Sequence, residues 1–384
     1  MRSNFILFLA AFFTAYGLVN FYIFIRGWRV FAPKSSLRVC FAVIFLVLAL
    51  SFIAGRLLEN IWLSVVSDVF VWMGAFWIAA MLYLFLSLVL LDLMRLINHW
   101  VPFFPSSVKA NPSKAKRTVA LVITGSVLFL LGAGHINARI PRIQTLDLSI
   151  PKKAEGIETL NIVAASDIHL GSIIGKRRLD SLVAKINALN PDLVLLPGDI
   201  MDEDIAPVIK ENVGDTLRNL KSRWGVFAVT GNHEYIGGVE EACDYLSDHG
   251  VIVLRDQVVK VNESFYLVGR EDRSIRRQGR NRKRLQELMA GVDQTCPVIL
   301  MDHQPFQLEE GETNGVDLQI SGHTHHGQLW PLNLITERVY ELSWGYKKKN
   351  STHVYVSCGF GSWGPPVRIG NRPEIVNLKI SFLK

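Results

Sequence analysis

Cysteine is scarce: four in 384 residues, at Cys40, Cys243, Cys296 and Cys358, with no CxxC spacing among them. Neither a disulfide framework nor a cysteine-ligated zinc site is therefore indicated. Acidic residues are nearly missing from the first 150 positions, which hold 4 Asp+Glu against 13 Lys+Arg, a net of +9. Residues 151–384 hold 30 against 28, a net of −2. The pI of 9.2 thus belongs to the first part of the chain and lends no support to nucleic-acid binding by the second. Charge is also missing from the centre of every long apolar run, which removes the signature of a transporter or proton path.

What the chain has in excess is apolar residues, 49% of the total, with a mean hydropathy of +0.25. The excess gathers in four runs: Phe5–Ile25, Val39–Gly55, Val69–Leu91 and Thr118–Ile136. A spanning helix needs about 20 predominantly apolar residues, roughly 17–25, so all four predict spans. Val39–Gly55 is the shortest and has a buried soluble helix as its alternative; Arg38 and Arg56 bracket it like interface anchors. For Phe5–Ile25 the alternative is a cleaved signal peptide. Its length and the lack of a small-residue cleavage motif before Arg26 favour an uncleaved helix. Residues 1–137 read as an all-α, four-helix transmembrane anchor.

Orientation follows from the cations. Arg26, Arg29, Lys34 and Arg38 follow the first run, and Arg95, Lys109, Lys114, Lys116 and Arg117 follow the third. The positive-inside rule places both loops in the cytoplasm and both termini, with the C-terminal domain, outside. Arg139, Arg142, Lys152 and Lys153 after the fourth run pull the other way.

Ala138–Gly156, with Pro141 and Pro151, reads as polar, so residues 138–158 are expected to be a linker to a domain over 159–384. From Thr159 short apolar strands alternate with helical segments. Leu160–Ala165, Asp192–Leu196, Gly225–Val229, Gln257–Val261, Val298–Met301 and Val316–Ile320 read as strands, and Lys176–Leu189 and Val239–His249 as helices. This order predicts a layered α/β core with two packed sheets. Five strands run into short loops carrying Asp, Asn or His: Asp167-Ile168-His169, Gly198-Asp199, Gly231-Asn232-His233-Glu234, Asp302-His303 and Gly322-His323-Thr324-His325-His326. Ligands of open α/β sheets collect outside the carboxyl ends of strands, so the five loops can converge.

The last loop is the most crowded, with three histidines in four residues behind a glycine that permits a sharp bend. Neutral imidazole is the commonest metal ligand. The candidate donors are Asp167, His169, Asp199, Asn232, His233, His303, His323 and His325. Oxygen and nitrogen donors without thiolate suit zinc, manganese or iron. Singly, each loop has an ordinary explanation: Gly198-Asp199 and Gly231-Asn232 are common turn pairs. Five strand ends each offering a ligand type point to a metal site.

In order and composition these loops resemble the calcineurin-like metallophosphoesterase superfamily, over about Asn161–Gln328. His325-His326-Gly327-Gln328, Val356-Ser357-Cys358-Gly359-Phe360-Gly361, Pro365-Pro366-Val367-Arg368 and Pro373-Glu374-Ile375 are similar to its bacterial transmembrane branch. That branch includes YkuE-like phosphodiesterases and enzymes proposed to cleave UDP-2,3-diacylglucosamine. The resemblance implies a four-layer αββα sandwich in a multi-pass protein of the bacterial plasma (inner) membrane. It implies two divalent metal ions (Mn, Zn or Fe), one held by Asp167, His169, Asp199 and His325, the other by Asp199, Asn232, His303 and His323, with Asp199 bridging. His233 would sit beside the phosphate as general acid or transition-state stabiliser. Asp302, an extra carboxylate, is expected to orient an imidazole. His326 is expected outside the ligand set, and Arg368 has no assigned role.

Two metals roughly 3.5–4 Å apart suit in-line displacement at phosphorus, polarising the phosphoryl oxygens and lowering the pKa of a bridging water so that its hydroxide attacks. The apolar segment Leu329–Tyr346 follows the histidine turn directly. Core packing or a cap over the site explains it as well as membrane contact does. Lys347-Lys348-Lys349 and the eight cations of Arg270–Arg284 offer contacts to anionic headgroups. The expected substrate is a lipid-linked or small-molecule phosphoester, such as a phospholipid or UDP-2,3-diacylglucosamine, cleaved at a phosphodiester or pyrophosphate bond. Membrane lipids are expected partners and nucleic acid is not. The alternatives are a broad-specificity phosphodiesterase on soluble nucleotides or cell-envelope polymers, and a non-catalytic metal-binding sensor.

Overall fold

The computed structural model describes residues 2–383, with side chains at Leu7 and from 10 to 383. It divides into two compact units, Met1–His135 and Ile136–Lys384.

The first unit is helical: α1 (Arg2–Trp28), α2 (Ser36–Ile61), α3 (Val65–Trp100), the short α4 (Ser106–Ala110) and the start of α5 (Pro112–Arg139). Among the described residues α2, α3 and α5 are long and apolar enough to cross a membrane. The predicted run Phe5–Ile25 lies within α1, and the side chains at 5, 6, 8 and 9 fall outside those described. Local chemistry sets the starts. Ser35 caps α2 by accepting from the Leu37 N–H, and Ser64 and Ser67 form a reciprocal capping box on α3. Because α2 runs beyond the apolar stretch at both ends, Arg38 and Arg56 lie inside the helix rather than flanking it, and Arg56 pairs with the buried Glu59 at 3.0 Å. Polar contacts tie α1 to α3: the Tyr22 hydroxyl donates to Asp92 (2.7 Å) and the Trp77 indole to Asn20 (3.0 Å).

The second unit holds twelve strands: β1 (Arg142–Lys153), β2 (Thr159–Ala164), β3 (Leu193–Pro197), β4 (Val226–Val229), β5 (Ile252–Val253), β6 (Gln257–Val261), β7 (Phe265–Gly269), β8 (Val298–Met301), β9 (Leu318–Ser321), β10 (Gly345–Lys349), β11 (Thr352–Val356) and β12 (Glu374–Leu383). They form two mixed six-stranded sheets, ordered β1-β12-β2-β3-β4-β5 and β10-β11-β9-β8-β7-β6. Strands β2–β5 of the first and β7, β8, β9 and β11 of the second run parallel to one another.

Alternation explains the layers. Ile162 and Ala164 of β2 face a core shared with Ile299, Met301 and Ile320 of the other sheet, while Val163 and Ala165 face outward. There the outward residues meet Leu179, Leu182 and Ile186 of α6 (Lys176–Ala188). With both faces covered, these strands read as continuous apolar runs. Leu285, Leu288 and Met289 cover the outer face of the second sheet through Val268, Val298 and Leu300.

The stretch read as a linker, 138–158, instead contains β1, which pairs in parallel with β12 from Arg142↔Glu374 onward. Only Leu148 and Ile150 of its twelve residues are buried, so the strand's alternation is diluted by polar side chains.

Candidate metal centre

β2, β3 and β4 of one sheet and β8 and β9 of the other all end at the same edge, and their following loops carry the candidate donors. The backbone is unusual there. Asp167, His169, Asp199, His323 and His325 have φ of 52°, 53°, 51°, 73° and 45°. Residues other than glycine rarely adopt this region, and such strain gathers at functional sites. Gly198, at φ 83°, lets the His303 ring close on it: a Cβ would meet the ring nitrogen Nδ1 at 2.5 Å. Gly322 likewise leaves room for Ser166, whose Oγ would lie 2.6 Å from an added Cβ.

Seven of the eight predicted donors fall into three overlapping groups, each with its ligand atoms within 4.8 Å: Asp167, His169 and His325; His169, Asp199 and His233; Asp199, His303 and His323. Asp199 lies in two of them. Asn232 is next to His233, and its Oδ1 is buried without a hydrogen-bond partner. Backbone donors hold the two carboxylates. The His323 N–H donates to Asp167 Oδ1 and the His233 N–H to Asp199 Oδ1, each at 2.8 Å. Nε2 of His169 and Nε2 of His325 stand 3.0 Å apart.

These residues fit metal ions. Nδ1 of His303 lies 2.8 Å from the Pro197 carbonyl, and its buried Nε2, without a hydrogen-bond partner, stands 3.1 Å from Asp199 Oδ2. A proton or a cation between Nε2 and that carboxylate oxygen satisfies both atoms. Asp167 Oδ2 is also buried without a hydrogen-bond partner. Burial, then the neighbouring His303, lowers His323 to about 3, so its ring is neutral. Burial, then His169 and Arg368, likewise holds His325 well below the usual imidazole range. Burial opposes the charge of Asp199, but His303, His233 and His169 outweigh it and keep its carboxyl well below the usual range. Burial also opposes the charge of His233, yet Asp202, with Asp199 and Glu203, pushes it up to about 9. Cations bound beside it would work in the opposite direction.

Several residues around the donors had no role assigned from sequence, although Glu234 and Arg368 stand in the quoted motifs. Asp202 Oδ1 lies 3.2 Å from His233 Nδ1 and 3.6 Å from His169 Nδ1. Glu234 accepts from four backbone N–H groups, those of Asp199, Ile200, Met201 and Gly231. Arg368 is wholly buried, with Nη2 3.1 Å from His325 Nδ1. Trp363, exposed, has its ring 6.2 Å from that of His233. For Asp202 the local signal was a second carboxylate three positions after Asp199.

Asp302 corrects an expectation. It orients no imidazole but binds Arg270 (3.1 Å) and Arg282 (2.8 Å), because successive residues at a strand end point to opposite sides. The cation-rich stretch Arg270–Arg284 therefore spends two arginines on a buried ion network, and Arg270 also pairs with Glu310. Lys347 and Lys349 pair with Glu341. His326 stands outside the three groups, its Nδ1 2.7 Å from Ser343 Oγ.

Residues 160–327 match the family model of calcineurin-like phosphoesterases. A "Transmembrane protein with metallophosphoesterase domain" from Danio rerio is 32% identical over 282 residues, 70% of this chain and 63% of that protein. The chain thus spans less than two thirds of that relative's length. An uncharacterized metallophosphoesterase of Helicobacter pylori strain J99 is 32% identical over 275 residues, 70% of this chain and 73% of that protein. YkuE, an uncharacterized metallophosphoesterase of Bacillus subtilis, is 28% identical over 242 residues, 57% of this chain and 78% of that protein. The chain belongs to the metallophosphoesterase family.

Proposed function

We propose that the chain is a membrane-anchored phosphoesterase that takes two divalent cations, Mn, Zn or Fe, and hydrolyses a phosphodiester or pyrophosphate bond of a lipid-linked substrate. The carrying observation is the knot of carboxylate and imidazole side chains from five loops, with Asp167 Oδ2, Asn232 Oδ1 and His303 Nε2 buried without hydrogen-bond partners. Asp167, His169, Asp199 and His325 would hold one cation. Asp199, Asn232, His303 and His323 would hold the other, since Asp199 has an oxygen for each. When bound, two such cations polarise a phosphoryl group and lower the pKa of water beside it.

The chain's own residues do the rest. The backbone bond from His233 N–H to Asp199 fixes the start of the short helix Asn232–Gly237 against the site. Asp202 Oδ1, 3.2 Å from Nδ1 of His233, favours the charged ring, and Nε2 would be the atom that meets the leaving oxygen and gives it a proton or offsets its charge.

Exposed apolar side chains support a lipid-linked substrate. Trp330, Leu334, Ile335 and Val339 are 54%, 45%, 58% and 54% exposed, so this segment does not pack into the core. Three of them sit on the short helix Asn333–Val339, and Tyr340 after it brings its ring to 6.0 Å from that of His323. We place the domain on the outer face of a bacterial plasma membrane. A phospholipid fits that placement; UDP-2,3-diacylglucosamine would require the cytoplasmic face.

The test uses full-length protein in detergent, stripped by chelator and reloaded with Mn, Zn or Fe. Hydrolysis of bis-p-nitrophenyl phosphate is expected to vanish on stripping and return on reloading. Phospholipids are expected to be cleaved faster than soluble nucleotides; the reverse order would overturn the lipid assignment. No hydrolysis with any metal would leave a metal-binding sensor.

A further inference from the structure

Within the helical unit, α1, α2, α3 and α5 line a half-open cavity of about 500 Å³, inside the roughly 300–1,000 Å³ range of small-molecule sites. Its chemistry is divided. Arg26 from the end of α1, Arg29 just beyond it, Arg95 from the end of α3 and Lys116 from the start of α5 line it, with no carboxylate in the lining. Asp92 engages Arg26 and Arg95 from beside the cavity. Among the described residues no carboxylate pairs with Arg29 or Lys116.

The remaining wall is almost wholly apolar. Leu84, Leu88, Leu91 and Arg95 recur at helical spacing on one face of α3, which continues to Trp77. At about 1.5 Å per residue, the wall from Leu91 to Trp77 extends roughly 20 Å from the cations, much of the ~30 Å hydrocarbon core. Trp77 and Phe45 pack edge to face, 5.1 Å between centroids, and are both buried. An apolar slot as long as an acyl chain, closed at one end by aromatic rings and ringed at the other by cations, matches one kind of molecule.

We propose that this cavity is a binding site for an anionic phospholipid, with an acyl chain along the α3 face and the phosphate among Arg26, Arg29, Arg95 and Lys116. The site lies within the membrane unit and stands independently of the metal centre. Charge complementarity separates it from lipid that merely coats the helices: a coat fills an apolar slot with any acyl chain, whereas unpaired cations select the headgroup.

Full-length protein in detergent is incubated with mixed micelles of dioleoylphosphatidylglycerol or dioleoylphosphatidylcholine, and retained lipid is counted by native mass spectrometry. The unaltered chain is expected to retain the anionic lipid about tenfold over the zwitterionic one. The double variant Arg29→Gln/Lys116→Gln is expected to lose most of that preference while keeping its hold on phosphatidylcholine. Ala120→Phe, which fills the slot, is expected to lose both lipids, and its unchanged elution and helical content would show that folding is intact. Equal retention of the two lipids by the unaltered chain overturns the proposal. So does undiminished phosphatidylglycerol binding by a folded Ala120→Phe variant.

Discussion

The carboxylate of Asp202 lies 3.2 Å from Nδ1 of His233, and the same oxygen is 3.6 Å from Nδ1 of His169. One side chain thus orients the ring assigned to the leaving group and a ring assigned to a cation. Groups that orient a metal-bound imidazole typically cost about 10–100-fold when removed. Asp202→Asn keeps the shape and discards the charge. Its kcat on a soluble diester is expected to fall about 10–100-fold, with KM and metal content unchanged. Retained kcat at full metal content would remove Asp202 from this role.

Replacing His233 itself asks for a larger effect. General acid–base catalysis is typically worth about 10²–10⁴-fold, so His233→Ala is expected to lose that much turnover while still binding metal. Asp199→Ala is expected to lose metal as well, because its carboxylate is shared by two of the three donor groups. Elemental analysis of both purified variants beside their turnover separates the cases. A His233→Ala protein with near-normal kcat would refute the role given to that ring.

Glu234 is held by four backbone donors: Ile200 and Met201 on Oε1, Asp199 and Gly231 on Oε2, at 2.7–3.1 Å. It locks the loop after β3 to the loop after β4, which fixes Asp199 relative to Asn232 and His233. Glu234→Gln turns one end into a donor facing two donors. Hydrogen bonds to a charged group contribute about 1.5–3 kcal/mol each, so the loss of two costs about 3 kcal/mol or more. At 2–4 °C per kcal/mol for a domain of this size, the melting temperature should drop by roughly 6–12 °C. Thermal unfolding of the solubilised protein measures it, and a shift under a degree or two would show that the clamp is dispensable.

The contrast between Glu234 and the donors shows what sequence carries. Each of the five loops announces itself locally, because an apolar strand stops and a ligand-type residue follows within three positions. β6 and β8 likewise begin and end where the pattern predicts, at Gln257–Val261 and Val298–Met301. Partners are different. Asp302 was read through its neighbour His303, but its arginines come from 20 and 32 positions away. β1 is a strand only because β12, more than 220 residues later, pairs with it. Nothing local reports that Arg368 is wholly buried against the histidine turn.

That burial makes Arg368 a sharp test. Its Nε and Nη2 both donate to the Gly361 carbonyl (3.1 and 2.6 Å), Nη1 donates to Asn371 (3.1 Å), and Nη2 reaches His325 Nδ1. Asn371 in turn donates to the carbonyls of His325 and His326. Guanidinium can only donate, in a fixed planar fork. Arg368→Lys keeps the charge without the fork, so the turn is expected to loosen and metal affinity to fall about tenfold or more. Titration of the stripped variant with Mn or Zn reads it; wild-type affinity would mean that the charge alone suffices.

The side of the membrane decides which lipids the domain can meet. Arg26, Arg29, Arg95 and Lys116 all line one end of a single cavity, so the ends of α1 and α3 and the start of α5 share a side. On the positive-inside rule that side is expected to be cytoplasmic. With one more crossing by α5, the second unit is expected outside. Labelling by a membrane-impermeant maleimide tests this in a chain with Cys40 and Cys296 replaced by serine. Glu263→Cys, on an 83% exposed side chain of the second unit, should label in intact cells. Lys109→Cys, exposed on the short α4 before α5, should label only after permeabilisation. The opposite pattern would move the domain to the cytoplasm, where UDP-linked lipids become the substrates to try first.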